Sequence, residues 1–155
     1  MKTVTKDIWE FRDTHWIVIP TNLQGPMGRG LAQQAKTRWP GLELRWKRQC
    51  AQEGRTVFWS GPDYNISLIL FPVKYRWKEP ADLKLIEKSL ETISNFEEPT
   101  AIPQIGCGFG ERDWVKEIEP LMEKYLGRKS NFLLVIMPDS VKTKYPKSFL
   151  PARRR

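Results

Sequence analysis

The chain predicts an α/β fold with a largely parallel or mixed sheet covered by helices on both faces. Three observations predict it. Apolar runs of strand length alternate with stretches of helix length along the 155 residues. Those runs are short and almost wholly apolar, as strands buried on both faces are. Two glycine clusters, GPMGRG at 25–30 and GCGFG at 106–110, each stand between a strand-like run and a helix-like one. Sheets of this kind take ligands beyond the carboxyl ends of their strands, so the two clusters should share one end of the molecule.

The elements follow in order. HWIVIPTN (15–22) is a short apolar run ending in polar residues, a buried strand. RGLAQQAKTRW (29–39) places Leu31, Ala32 and Ala35 at helical spacing and stops at Pro40-Gly41. ELRWKRQCAQEG (43–54) reads as a second helix ending at Gly54. TVFWS (56–60) is a strand closed by Gly61-Pro62-Asp63, and ISLILFPV (66–73) is strongly strand-like. ADLKLIEKSLETISNF (81–96) sets Leu83, Ile86, Leu90 and Ile93 on one helical face. TAIPQIG (100–106) is a short strand running into the second glycine cluster. DWVKEIEPLMEKYLG (113–127) is a helix with Asp113 as N-cap and Gly127 as its stop, and Pro120 inside it implies a kink or an early end. NFLLVIMP (131–138) is a last buried strand.

Composition narrows the class. The length suits one domain, residues 1–150, followed by a short basic tail, 151–155. Hydrophobic residues make up 40% and charged residues 28%, as in globular proteins. No apolar run approaches the roughly 20 residues of a membrane span. The start, MKTVTKDIWEF, carries no apolar signal core. The expectation is a soluble, cytoplasmic, monomeric protein without a membrane partner. Cys50 and Cys107 are too few for a disulfide framework and lack metal spacing, and His15 is the single histidine. A histidine-based metal site and a Ser-His-Asp triad are therefore not expected, nor is any metal or cofactor, and His15 beside Trp16 reads as structural. Lys and Arg number 26 against 18 Asp and Glu, a net charge of +8, which favours anionic partners. The tail PARRR is either a phosphate contact or a solvated end. Of seven tryptophans, Trp46, Trp59 and Trp77 lie beside basic residues or turn signals and are candidate stacking surfaces for a base.

A strand, a glycine loop and a helix N-terminus in succession make a phosphate site, because backbone N–H groups and the helix dipole both favour an anion. Gly25, Gly28 and Gly30 on one side and Gly106, Gly108 and Gly110 on the other suit a diphosphate. GPMGRG is neither a P-loop nor G-x-G-x-x-G, and taken alone each cluster is equally a tight turn. Asn22, at the strand end, is a donor and acceptor for a sugar hydroxyl.

PTNLQGPMGRGLAQQAKTRWP resembles the first signature of macro domains, the ADP-ribose-binding α/β/α modules, in the branch typified by DarG. The pattern there is N-x-x-G-x-M-G-x-G-[IL]-A leading into a helix that ends near Tyr/Trp-Pro. Here it is met by Asn22, Gly25, Met27, Gly28, Gly30, Leu31, Ala32, Trp39 and Pro40. IPQIGCGFGERDW resembles the second signature. LFPVKYRWKEPADLKLIEKSL resembles the segment around that branch's catalytic lysine, F-P-[ST]-K-x-x-W. The resemblance spans residues 3 to 137 and implies a three-layer α/β/α macro-domain fold with a central mixed sheet.

By that resemblance Asp7 reads the adenine amino group and Ile8 offers its backbone to the ring or pyrophosphate. Asn22 lies near the distal ribose. Gly28, Arg29 and Gly30 meet the distal ribose and diphosphate. Gly106, Cys107, Gly108, Phe109 and Gly110 form the second phosphate loop, with Phe109 placed to stack on the distal ribose. Lys74 matches the lysine used on the anomeric carbon by the DarG and terminal ADP-ribose glycohydrolase branch. A lysine amine is a nucleophile only when neutral, so burial or nearby cations must lower its pKa. Taken alone, Lys74 is a surface lysine closing a strand. The strand before Asn22 departs from many macro domains, with Ile19 and Pro20 where an asparagine is common. Gly110 stands where the terminal glycohydrolases carry an aspartate, leaving Glu111, then Asp113, as the nearest carboxylates to act on water. Asp113 is equally a helix cap.

The resemblance implies an ADP-ribosyl glycohydrolase, a hydrolase that removes ADP-ribose from a nucleic acid, plausibly DNA bases, through Lys74 with Glu111. Its partners are then ADP-ribose or ADP-ribosylated nucleic acid. Three other readings stand beside it: a non-catalytic ADP-ribose or NAD-metabolite binding module, an ADP-ribose-1″-phosphate processing enzyme, and a nucleic-acid-binding protein with incidental glycine turns. The full DarG antitoxin is a longer chain with a toxin-binding region, so an antitoxin role does not follow from the residues here.

Overall fold

The structure, a computed structural model, describes residues 1–61 and 66–140. Its strands are β1 (Lys2–Thr5), β2 (Trp16–Asn22), β3 (Val57–Gly61), β4 (Ile66–Lys74), β5 (Thr100–Ile102) and β6 (Phe132–Ile136). Its helices are α1 (Gly30–Arg38), α2 (Leu42–Glu53), α3 (Leu83–Ile93) and α4 (Glu119–Leu126). The strands form one sheet in the order β1-β6-β5-β2-β4-β3. All neighbours run parallel except the edge pair β3 and β4. The sheet is therefore mixed.

Side chains alternate across a strand, and the two faces feed two cores. Ile17, Ile19, Leu68 and Leu70 pack with Ala32 and Ala35 of α1 and Leu42 and Trp46 of α2. Val18, Ile69, Phe71 and Val73 pack with Ile86, Leu90 and Ile93 of α3 and Met122 and Leu126 of α4. Helices on both faces of one sheet give the three-layer α/β/α architecture. Asp82 caps α3 by accepting from Leu85 N at 2.9 Å.

Several details differ from the sequence expectation. β1, KTVT, is short and mostly exposed, and carries no apolar run to announce it; parallel pairing with β6, from Lys2 opposite Leu133 to Thr5 opposite Ile136, makes it a strand. Only Thr100–Ile102 of the run 100–106 is strand, because Pro103 has no N–H to donate. Residues 113–127 are not one helix. Asp113 does cap, accepting from Lys116 N at 2.9 Å, but Trp114–Ile118 form a π-helical turn before α4 begins. Pro120 then falls in the first turn of α4, where its missing N–H removes no intrahelical bond. Trp46 and Trp59 are core residues, 0% and 7% exposed, and are not stacking surfaces. Pro62 and Asp63, read as a strand stop, and the tail 151–155 lie outside the described residues.

Candidate functional site

A cleft of about 580 Å³ opens beyond the carboxyl ends of β2, β4, β5 and β6. From β6 it crosses β5 and β2 to reach β4. Three strand spacings make that run about 14 Å. Val135 and Met137 stand at one end and Lys74 with Trp77 at the other.

The first glycine loop is held from beneath. Asn22 Oδ1 accepts from Gln24 N at 3.0 Å and Gly25 N at 2.8 Å, while its Nδ2 donates to Pro26 O at 2.8 Å. Trp46 Nε1 donates to Asn22 O at 2.9 Å. Met27 N donates to Glu43 Oε2 at 2.8 Å, and Glu43 also pairs with Lys36 and Lys47. The Met27 N–H is the main reason that the Glu43 carboxyl lies below its ordinary pKa, with burial opposing. Gly28 is bare for a different reason. A Cβ there would meet nothing within 4 Å, and Gly28 lines the cleft. Arg29, at the N-cap of α1, makes no side-chain capping bond, and Arg29, Gly30, Leu31 and Ala32 all line the cleft. That end of α1 therefore presents its dipole to whatever the cleft holds.

The second loop works without a helix N-terminus, because Asp113 already caps the π-helical turn that follows. Gly106 has φ +74°, a conformation side chains rarely adopt, and a Cβ there would also lie 2.9 Å from Ile86 Cδ1 and 3.0 Å from Ile118 Cδ1, so backbone and packing both favour glycine. Arg112 braces the loop, with Nε donating to Ala81 O at 2.6 Å and its guanidinium on Glu117 at 3.1 Å. Cys107 lines the cleft, and its thiol is pushed up to about 11 by burial and then by Asp113 and Glu117. It stays a thiol at neutral pH and is no nucleophile.

Lys74 ends β4, opposite Asn22 at an irregularity in the β2–β4 register. Its Nζ donates to Trp77 O at 3.3 Å. Burial lowers its pKa; Glu111 opposes that shift and Arg29 adds to it. Both charges therefore act on the Lys74 amine. Glu111 is exposed and sits in the left-handed region at φ 60°, the one non-glycine residue there among those described.

Similar proteins share this arrangement of strands and loops. No family model matches the chain. A DNA ADP-ribosyl transferase–DNA ADP-ribosyl glycohydrolase fusion protein of Thermosipho africanus is 25% identical over 150 residues, covering 79% of this chain and 38% of that protein. The structure of Thermosipho africanus DarTG in complex with ADP-ribose superposes with a TM-score of 0.75 at 26% identity, over 88% of this chain and 41% of that one. The macrodomain of Mycobacterium tuberculosis DarG superposes with a TM-score of 0.73 at 25% identity, over 88% of this chain and 96% of that one. The chain is a macro domain of the DarG branch. It spans about two fifths of the length of the curated relatives it matches.

In this macro domain the cleft brings together Asn22, Gly28, Arg29, Gly30, Lys74, Gly106, Cys107, Gly108 and Gly110. The side chain of Phe109 lies outside the described ones. Asp7, Ile8 and Glu111 do not line the cleft. Ile8 N donates to Met137 Sδ at 3.2 Å, so Asp7 and Ile8 stand just behind the β6 end. Asp7 Oδ1 caps the 3₁₀ turn at Ile8–Phe11, accepting from Trp9 N at 3.1 Å. Asn22 directs its three side-chain hydrogen bonds into the loop, so its structural task is to hold the loop's shape. Sequence reasoning missed Glu43, which fastens the loop from another helix, and Thr21, Gln104 and Met137 in the cleft wall. Thr21 Oγ1 is buried there with no hydrogen-bond partner among the described residues. No local signal marks these residues, because their roles arise from contacts distant in sequence.

Proposed function

We propose that this macro domain is an ADP-ribosyl glycohydrolase that removes ADP-ribose from a DNA base, with Lys74 acting at the anomeric carbon. One observation carries the reading: a lysine with a burial-lowered pKa stands at the end of a cleft that both glycine loops line. Adenine lies at the β6 end near Asp7 and Ile8, the diphosphate between the two glycine loops and the N-terminus of α1, and the distal ribose against Gly28–Gly30 and Lys74. The neutral amine of Lys74 adds to C1″ as the base leaves with the glycosidic electron pair. The new nitrogen–carbon bond carries a proton that passes to the departing base. Glu111 takes a proton from water, the hydroxyl oxygen bonds to C1″ as the nitrogen–carbon bond breaks, and the proton passes from Glu111 to the leaving nitrogen, which restores the neutral Lys74 amine. The names of the relatives, DNA ADP-ribosyl glycohydrolases, support the substrate class. The charge of +8 suits a nucleic acid.

The test is release of ADP-ribose from an ADP-ribosylated single-stranded oligonucleotide. Wild type should release it, and Lys74→Ala should lose at least a hundredfold in kcat while binding ADP-ribose within a few-fold of wild type by calorimetry. Binding by both without release by either would make the protein a reader of ADP-ribose and end the glycohydrolase reading.

A further inference from the structure

The cleft does not stop at Lys74. Trp77, three residues on, lines its outer rim and is 37% exposed. The main chain of Trp77 is fixed from two directions. Its N–H donates to Gln24 Oε1 at 3.2 Å, from the first glycine loop, and its carbonyl accepts from Lys74 Nζ at 3.3 Å. Two cations attend the ring: Arg29 Cζ lies 5.7 Å from its centroid and Lys78 Nζ lies 5.1 Å from it. Tyr75, 52% exposed, and Arg76, paired with Glu79 at 3.8 Å, belong to the same segment. Trp46 and Trp59 are in the core, whereas Trp77 is held in solvent beside the reacting position.

Direction decides what the ring meets. On the proposed function, on which this inference rests for substrate polarity, ADP-ribose fills the cleft from β6 to β4. Whatever lies past the anomeric carbon is the acceptor. A partly exposed indole with two cations over it suits a base joined to phosphates, since a base can stack on the ring as the Lys and Arg turn from it to the flanking charges. A base paired within a duplex presents no free face, so the strand must be single at that point.

We propose that Trp77 is the stacking platform for the acceptor base of a single-stranded substrate, with Arg29 and Lys78 serving its flanking phosphates. Trp77 is then a specificity residue that recognises the acceptor and leaves ADP-ribose recognition to the cleft.

The experiment measures binding of a fluorescent ADP-ribosylated single-stranded oligonucleotide and of free ADP-ribose, in a Lys74→Gln background that stops turnover. Trp77→Ala should weaken oligonucleotide binding about five- to a hundredfold, the worth of one stacked base, and leave ADP-ribose affinity within twofold. Trp77→Phe should keep most of the oligonucleotide affinity. Undiminished oligonucleotide binding by Trp77→Ala overturns the proposal. An equal loss for both ligands also overturns it, by placing the ring in the ADP-ribose pocket. Release by wild type is measured separately. If wild type releases nothing, the glycohydrolase reading fails, and the ratio of binding losses still decides for or against the platform.

Discussion

Lys74 shows how one side chain acquires chemistry from its surroundings. Burial lowers its pKa, Glu111 opposes the shift and Arg29 adds to it. On the proposed mechanism only the neutral amine attacks, so kcat/KM should rise with pH and level off below the ordinary lysine value of 10.5. Glu111→Gln removes the opposing carboxylate and, besides the slower turnover expected from losing the proposed base, should move that rise to lower pH. Arg29→Gln removes a cation and should move it to higher pH. A pH–rate profile of the three proteins checks both signs, and a rise that fails to move in either variant separates these charges from the amine. The glycines divide at the same scale. Gly28→Ala adds a Cβ to open space, so the unfolding midpoint should hold while ADP-ribose affinity drops at least tenfold. Gly106→Ala should behave oppositely. A side chain at φ +74° against Ile86 and Ile118 costs about 1–3 kcal/mol of stability, read as a lower urea midpoint.

At the scale of elements, the loop between β2 and α1 keeps its shape through α2. Glu43 accepts from Met27 N, and Trp46 donates to Asn22 O. Glu43→Ala should therefore reduce ADP-ribose affinity several-fold without touching the ligand, with calorimetry of the two proteins as the check. The Glu43 carboxyl lies below its ordinary pKa, so its brace is complete above the ordinary carboxylate range and is lost as pH falls through the lowered value. The GPMGRG motif marks the loop in the sequence, but Glu43 lies 13 residues beyond its last glycine in what reads as an ordinary helix. The split at 114–126 was half legible. Pro120 announces a break, but no local signal says that a π-helical turn will absorb it. β1 was silent in composition because its partner, β6, lies about 130 residues away in the chain.

For the whole molecule, the sheet order decides what the two glycine loops can do together. β2 and β5 are neighbours, so the loops that follow them face each other across one cleft. The net charge of +8 acts at longer range. Affinity for an ADP-ribosylated strand should fall steeply with salt as phosphate counterions are released, and affinity for free ADP-ribose should fall much less. Parallel slopes in a titration between about 50 and 300 mM salt, over which the Debye length falls from about 14 to about 6 Å, would show that the surface charge takes no part in strand binding.

The sequence by itself determined the alternation of strands and helices, the two glycine loops and the lysine at a strand end, because periodicity and backbone freedom are local properties. It also carried the macro-domain resemblance, since the motifs are contiguous. Tertiary structure alone decided which tryptophan faces solvent, that Asn22 and Glu43 hold the loop, and that Arg29 and Glu111 act on Lys74. Each of these depends on burial and on charges brought close by folding, and neither is a property of neighbouring residues in a chain.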